Sequence, residues 1–239
     1  MNRIKTEIES CNHLRVIGKV SCGIKPSRIY NEKININEMA TCLQKINYTI
    51  SDLNRYIKNV NSDDYDPKDI VCIINLSSWI VDAYEYIQES LLQEYGLLLV
   101  AHDDHAFNDS KEYLKTVRSF VIAHHMYTNR HFKLGFDDKS RYMCIDIGIA
   151  SKMEIFKLYK DARAIHLGIN GYSKEDNLIN SDFYLQCVNS NDDIKEQYMH
   201  LTISFEDIYS ATNMYSKKLQ EADKEINRLI RQKGANNNE

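Results

Sequence analysis

Ile36-Asn-Glu-Met39-Ala-Thr-Cys-Leu43-Gln-Lys-Ile46-Asn-Tyr-Thr-Ile50-Ser-Asp-Leu53-Asn-Arg-Tyr-Ile57-Lys-Asn-Val60 is the stretch that decides the fold. Its bulky apolar residues fall at intervals of 3-4-3-4-3-4-3. An α-helix turns once in about 3.6 residues, so this spacing lays all of them along one side. A strand would throw successive members of the set onto opposite faces. The stretch therefore predicts one long helix over about 35–60 with a heptad seam. Asn61-Ser-Asp-Asp-Tyr-Asp-Pro67 ends it, and Pro67 is placed to open the next helix.

Downstream the same spacing continues. Ile70, Ile73, Ile80, Tyr84, Ile87 and Leu91, with Ser77 in register, predict a helix over about 68–95. Ile74, Val81 and Leu92 widen its apolar stripe, which suits a helix with more than one neighbour. Gly96 is placed to stop it. A polar loop with His102-Asp-Asp-His105 follows; it reads as an approach to a helix cap, not a metal site, since no third ligand pattern lies nearby. A third helix is expected from about Ser110 to Met126, with Asn108, Asp109 or Ser110 as N-cap. Beyond Gly135 the period changes to two. Met143, Ile145, Ile147 and Ile149 alternate with Tyr142, Cys144, Asp146 and Gly148, which predicts a half-buried strand. Ser151-Lys-Met-Glu154 reads as a capping box opening a short helix to about Arg163, and further strands are expected near 183–188 and 197–203. From Ser204, Phe205, Ile208, Thr212, Tyr215, Leu219, Ala222, Ile226 and Leu229 return to heptad spacing on a closing helix. Upstream, residues 1–33 show no sustained period, although Val16, Ile17 and Val20 could form a short element. The expected fold is mainly α. It is a single domain over 1–239, an antiparallel helical bundle with a small antiparallel β insertion at about 136–203 before a long C-terminal helix.

Composition agrees with long helices. The chain has 239 residues, 43% of them hydrophobic, with only 8 glycines and 2 prolines. No run approaches the roughly 18 consecutive apolar residues of a membrane span. The N-terminus, Met1 to Ser10, mixes charges and lacks the apolar core of a secretory signal, so the expected compartment is the cytoplasm with no membrane partner. A net charge of −4 disfavours binding nucleic acid over a broad surface but allows a few nucleotides in a cleft. The six cysteines, at 11, 22, 42, 72, 144 and 187, form no C-x-x-C pair and read as reduced thiols. Neither cofactor nor metal is expected. His166 and His200, in or beside strands, read as structural.

Chemistry concentrates in Val117-Arg-Ser-Phe-Val-Ile-Ala-His-His-Met-Tyr127. Cleavage of RNA through its 2′-hydroxyl needs a proton acceptor, a proton donor, and a cation for the charge that builds on phosphorus-bound oxygens. Histidine suits the proton transfers near neutral pH. Arginine suits the phosphate, since its planar fork matches two oxygens. On a regular α-helix Arg118 and His125 project about 20° apart, and Arg118 and His124 about 120° apart. Geometry thus favours His125 as the neighbour of Arg118.

Arg118, an apolar run, then histidine at the end of a helix resembles the HEPN family (higher eukaryotes and prokaryotes nucleotide-binding). Five residues separate Arg118 from His124 and six separate it from His125. The string Arg118-Ser119 to Ala123-His124, with Thr128, Arg130 and Gly135 after it, is similar to a bacterial subgroup. That subgroup carries Arg-Ser, an apolar run, Ala-His-Pro, then threonine and a basic residue. The resemblance selects His124 and places His125 where the subgroup has proline, so the choice of histidine stays open. It implies a metal-independent endoribonuclease in toxin or anti-phage defence, with a composite site at a homodimer interface. Arg118, His124 and His125 would be catalytic, and Ser119, Tyr127, Thr128 and Arg130 would line the RNA. Tyr127, two residues past His125, matches a tyrosine that an antitoxin nucleotidyltransferase modifies in one toxin branch, so an antitoxin or defence-system partner is conceivable. The competing readings are a non-catalytic helical adaptor or antitoxin-like protein, in which Arg118 makes an ion pair and the histidines cap a helix C-terminus, and a nucleotide-binding module on the same scaffold.

Overall fold

A computed structural model describes residues 3–9, 36–95, 104–123, 141–152, 163–174, 181–191 and 194–236. In chain order its elements are helix α1 (Ile36–Asn61), α2 (Pro67–Tyr95), α3 (His105–Arg118) with a π turn (Ser119–Ala123), strands β1 (Arg141–Ile149), β2 (Arg163–Gly168), β3 (Gly171–Lys174), β4 (Phe183–Asn191) and β5 (Ile194–Ile203), and helix α4 (Phe205–Asn236). The chain is mainly helical, with four helices and one mixed sheet among the described residues.

The seams lie inside. On α1, Ile46, Ile50, Leu53 and Val60 are buried. On α2 so are Ile70, Ile73, Ser77, Ile80, Tyr84 and Ile87, and on α4 Phe205, Ile208, Thr212, Tyr215 and Leu219. Leu92, expected to widen the inner stripe of α2, is instead 46% exposed. Helix α2 packs against α1, α3 and α4, as its broad stripe requires. Tyr84, Phe107 and Tyr215 bring α2, α3 and α4 together, with ring centroids 4.7–5.4 Å apart. Along α2, residues 67–90 reach a mean hydropathy of 1.3, enough by length and composition for a membrane span, because scattered polar residues do not interrupt a windowed average; 61% of that window is buried in the fold.

Each helix start has a local cause. Pro67 is the first residue of α2, where its missing N–H is no loss. Asp66 accepts from the N–H groups of Lys68 and Asp69, and Asp69 accepts from the N–H of Asp66. Helix α3 starts earlier than the 110 expected from sequence: Asp104 is its N-cap, accepting from the Phe107 N–H at 3.1 Å. Ser204 caps α4 through the Asp207 N–H.

The sheet corrects the expectation of a small antiparallel insertion. Five strands run in the order β1-β4-β5-β2-β3, and β2 pairs with β5 in parallel. The other neighbours are antiparallel. Arg163, expected at the end of a short helix, opens β2; Ala150–Lys152 is a single 3₁₀ turn, and the remainder of that expected helix lies outside the described residues. The β4–β5 hairpin presents the free edge of β5, and β2 joins it there as a parallel neighbour. Tyr184 packs over Gly148 so closely that a Cβ there would lie 2.1 Å from its Cζ.

Residues 3–9 form a strap that periodicity does not reveal. Ile4 and Ile8 are buried, at 2% and 1% exposure. Asn61 accepts from the Ile4 N–H and donates to its carbonyl; Asn54 does the same for Ile8. Four strap residues thus match seven residues of α1, about 10.5 Å of helix, so the strap is extended and runs antiparallel to α1. From α4, Glu206 accepts from the N–H groups of Lys5 and Thr6, Asn213 accepts from Glu9, and Ser216 donates to the Glu9 carbonyl. Arg3 ends the strap on Asp63, at 2.6 Å, and Asp182, at 3.5 Å. Asp182 in turn accepts from the Phe205 N–H at 2.7 Å, and its carbonyl accepts from Tyr65. One buried acid therefore joins the strap, the α1–α2 turn, the start of β4 and the start of α4. The element expected around Val16, Ile17 and Val20 lies outside the described residues.

Candidate functional site

Arg118 is the last residue of α3, and the helix changes character after it. Ser119–Ala123 form a π turn. The Ser119 N–H still reaches back to the carbonyls of Lys115 and Thr116. Phe120 is buried, and Val121 and Ile122 pack partly against the core. The widened turn is therefore anchored by apolar side chains on both sides of Ser119, with Val117 buried before it. π turns inside helices are often found at functional sites.

The guanidinium of Arg118 lies against α2. Its Nη1 donates to Asp82 Oδ1 at 3.1 Å and Oδ2 at 3.4 Å. The side chains are 41% and 51% exposed, so the pair sits at the surface. Among the described residues its Nε and Nη2 make no hydrogen bond. The pair belongs to a ladder between α2 and α3. Glu85, one turn on from Asp82, takes Lys111 at 2.8 Å and Lys115 at 3.1 Å. Burial opposes ionisation of Glu85, but the two ammonium groups outweigh it and hold its carboxyl below the ordinary range. Residues 82 and 85 on one helix face 118, 115 and 111 on the other, which fixes the two helices as antiparallel neighbours.

Ser119, expected against substrate, is only 9% exposed. His124, His125, Tyr127, Thr128 and Arg130 lie outside the described residues. The projection angles that favour His125 hold for α-helical winding from Arg118 onward. A π turn closes on the fifth residue and so holds more residues per revolution; the roughly 20° and 120° offsets of a regular helix do not carry across it.

The histidines in the sheet occupy other surroundings. His166 Nδ1 lies 3.3 Å from Thr202 Oγ1, and its Nε2 is 3.9 Å from Asp207. His200 is fully buried, with the edge of Tyr184 at 5.6 Å, and burial lowers its pKa. Asp104, from the polar loop weighed for metal, is spent on its cap and on Lys218 at 3.2 Å; the Phe107 N–H and that ammonium hold its carboxyl below the ordinary range. No cluster of three or more metal-ligating side chains occurs among the described residues.

One open cleft of about 390 Å³ lies between α1 and α2, lined by Asp52, Arg55, Tyr56, Asn59, Asp69, Cys72 and Leu76. The hydrogen bond with Cys72, then burial, pushes the Tyr56 hydroxyl up to about 12. Asp82 lies thirteen positions after Asp69 on α2, which is about 20 Å of helix, so this cleft is remote from Arg118. Sequence reading missed Asp82 and Glu85, because an acid on the outer side of an amphipathic helix looks like any solvated residue until its partner is placed. No protein-family model matches the chain, and neither a curated protein nor a solved structure matches it either.

Proposed function

We propose that the chain is a metal-independent endoribonuclease of the HEPN type, an antiparallel helical bundle acting in toxin or anti-phage defence in the cytoplasm as a homodimer. The observation that carries this reading is the state of Arg118. It closes α3 at a π turn, it is held by Asp82 through one nitrogen, and about two fifths of its side chain stays exposed. A guanidinium steered by a carboxylate, with donors left over, is suited to clamp a phosphate and stabilise the charge built on it. His124 or His125 would supply general acid–base chemistry from the segment that follows, and Tyr127, Thr128 and Arg130 would line the RNA. One helix end offers too few groups for every role, which is why a second copy is part of the proposal.

The test is incubation of purified protein with total RNA in the presence of chelator, followed by end-group analysis. The expected result is fragments with 2′,3′-cyclic phosphate ends, lost in Arg118→Ala and in His124→Ala while circular dichroism stays unchanged. Equal cleavage by the parent and both variants overturns the site.

A second reading has its own support. Arg118 is one rung of a ladder with Glu85, Lys111 and Lys115, and a rung needs no substrate. On this reading the chain is a non-catalytic helical interaction protein. Absence of any cleavage, with Arg118→Ala altering only stability, favours it.

A further inference from the structure

Cys144 and Cys187 are directly opposed across the antiparallel β1–β4 ladder. Directly opposed residues have Cα atoms about 4.5–5.5 Å apart, inside the roughly 4.4–6.8 Å that a disulfide spans. Both are reduced thiols here. As directly opposed residues of neighbouring strands, their side chains share one face of the sheet. Cys144 Sγ also lies 3.4 Å from the Asp146 carbonyl. The two differ in access. Cys187 is fully buried in β4, whereas Cys144 is half-buried on β1, which is an edge strand. The ladder shifts register between Cys144 and Asp146, so the strand has local freedom where a new bond would need a small adjustment.

We propose that Cys144 and Cys187 form a dithiol modification site, at which a hydroperoxide converts the pair to a cross-strand disulfide. Cys144 is the attacking sulfur because it alone of the two is accessible. The neighbouring Cys187 thiol favours the Cys144 thiolate, against the cost of burial, while Cys187 retains its proton. The Cys144 thiolate attacks one peroxide oxygen. The O–O bond breaks, Cys144 becomes a sulfenic acid, and the departing hydroxide takes up the proton that Cys144 released, forming water. The Cys187 sulfur then attacks the Cys144 sulfur. The S–S bond forms, the S–O bond breaks, and a second water leaves with the Cys187 proton. Two thiols and one hydrogen peroxide give one disulfide and two waters; both sulfurs are oxidised and the peroxide is reduced.

The test uses the full-length protein, reduced, freed of reductant, treated with hydrogen peroxide, and quenched with an alkylating agent. Tryptic mapping without reductant should show residues 142–152 linked to residues 175–195, about 2 Da lighter than the sum of the two reduced peptides. The link should vanish on reduction. In Cys187→Ser, Cys144 should stop at the sulfenic acid and take a sulfenic-acid-specific label; in Cys144→Ser, the buried Cys187 should stay reduced. The mapping on the parent protein needs no variant to fold. Recovery of Cys144 as sulfinic or sulfonic acid without the linked peptide overturns the proposal, as does a linked peptide that joins either cysteine to a different one, or no oxidation of either.

Discussion

At the residue scale, Asn54 and Asn61 hold the strap by its backbone. Each side-chain amide matches the N–H and C=O of one strap residue, so an exposed-looking asparagine on α1 completes two buried main-chain groups. Leaving such groups unsatisfied costs about 1–3 kcal/mol, so Asn54→Ala and Asn61→Ala should each lower unfolding free energy by about that amount in urea titration. A change under about 0.5 kcal/mol would show that water replaces the amide. His200 makes a pH prediction. Burial depresses its pKa, so the unfolded chain takes up the proton first as pH falls. Its contribution is complete above the ordinary histidine value of about 6.5 and is lost as pH falls from there through the depressed folded value. The urea midpoint of the parent should drop as pH falls below about 6.5, and His200→Gln should flatten that slope. An equally steep slope in the variant would assign it to other groups. The sequence placed His200 in a strand but could not show its burial, because the strands on either side of it and the Tyr184 ring come from elsewhere in the chain.

At the element scale, α3 and its π turn show how much of the site is local. A helix running through Arg118 was readable in the sequence. Its true start was not, because Asn108, Asp109 and Ser110 are as competent to cap as Asp104. Asp104 wins with help from Lys218, which lies on α4, far along the chain. The partner of Arg118 is likewise remote: Asp82 is 36 residues away. Exposed pairs of this kind are worth about 0–1 kcal/mol, so Asp82→Ala should leave thermal stability nearly unchanged. If Arg118 clamps a phosphate, the same variant should cut RNA cleavage by about tenfold to a hundredfold, since a misplaced catalytic group loses that much. Unchanged cleavage in Asp82→Ala would mean that Asp82 does not orient the guanidinium. The sheet divides in the same way. The alternation of β1 was plain in sequence, whereas β2, with Ile165 and Leu167 buried around His166, is too short for its alternation to stand out, and the expected helix overlaps it only at Arg163.

At the scale of the whole molecule, the strap ties the chain's beginning to both α1 and α4. Glu206 shows the electrostatic part: burial opposes its ionisation, but the Thr6 hydroxyl and the N–H groups of Lys5 and Thr6 outweigh that and keep its pKa low. The apolar part is larger. Ile4→Ala and Ile8→Ala should each cost about 2–5 kcal/mol, read as a drop in unfolding free energy with accelerated hydrogen exchange at residues 3–9. Unchanged exchange there would mean that the two isoleucines do not anchor the strap. By itself the sequence determined the helices, the strand at 141–149 and the arginine–histidine segment, because periodicity and residue chemistry are local properties. Ile4 and Ile8 escaped it because a spacing of four suits a helix and an extended chain alike. The tertiary structure alone decided the strap's groove, the parallel β2–β5 pairing, the opposition of Cys144 and Cys187, and the Asp82 carboxylate that holds Arg118. Each of these joins residues far apart in the chain, and such pairings are selected by which surfaces can be buried together, a quantity that exists only once the helices have packed.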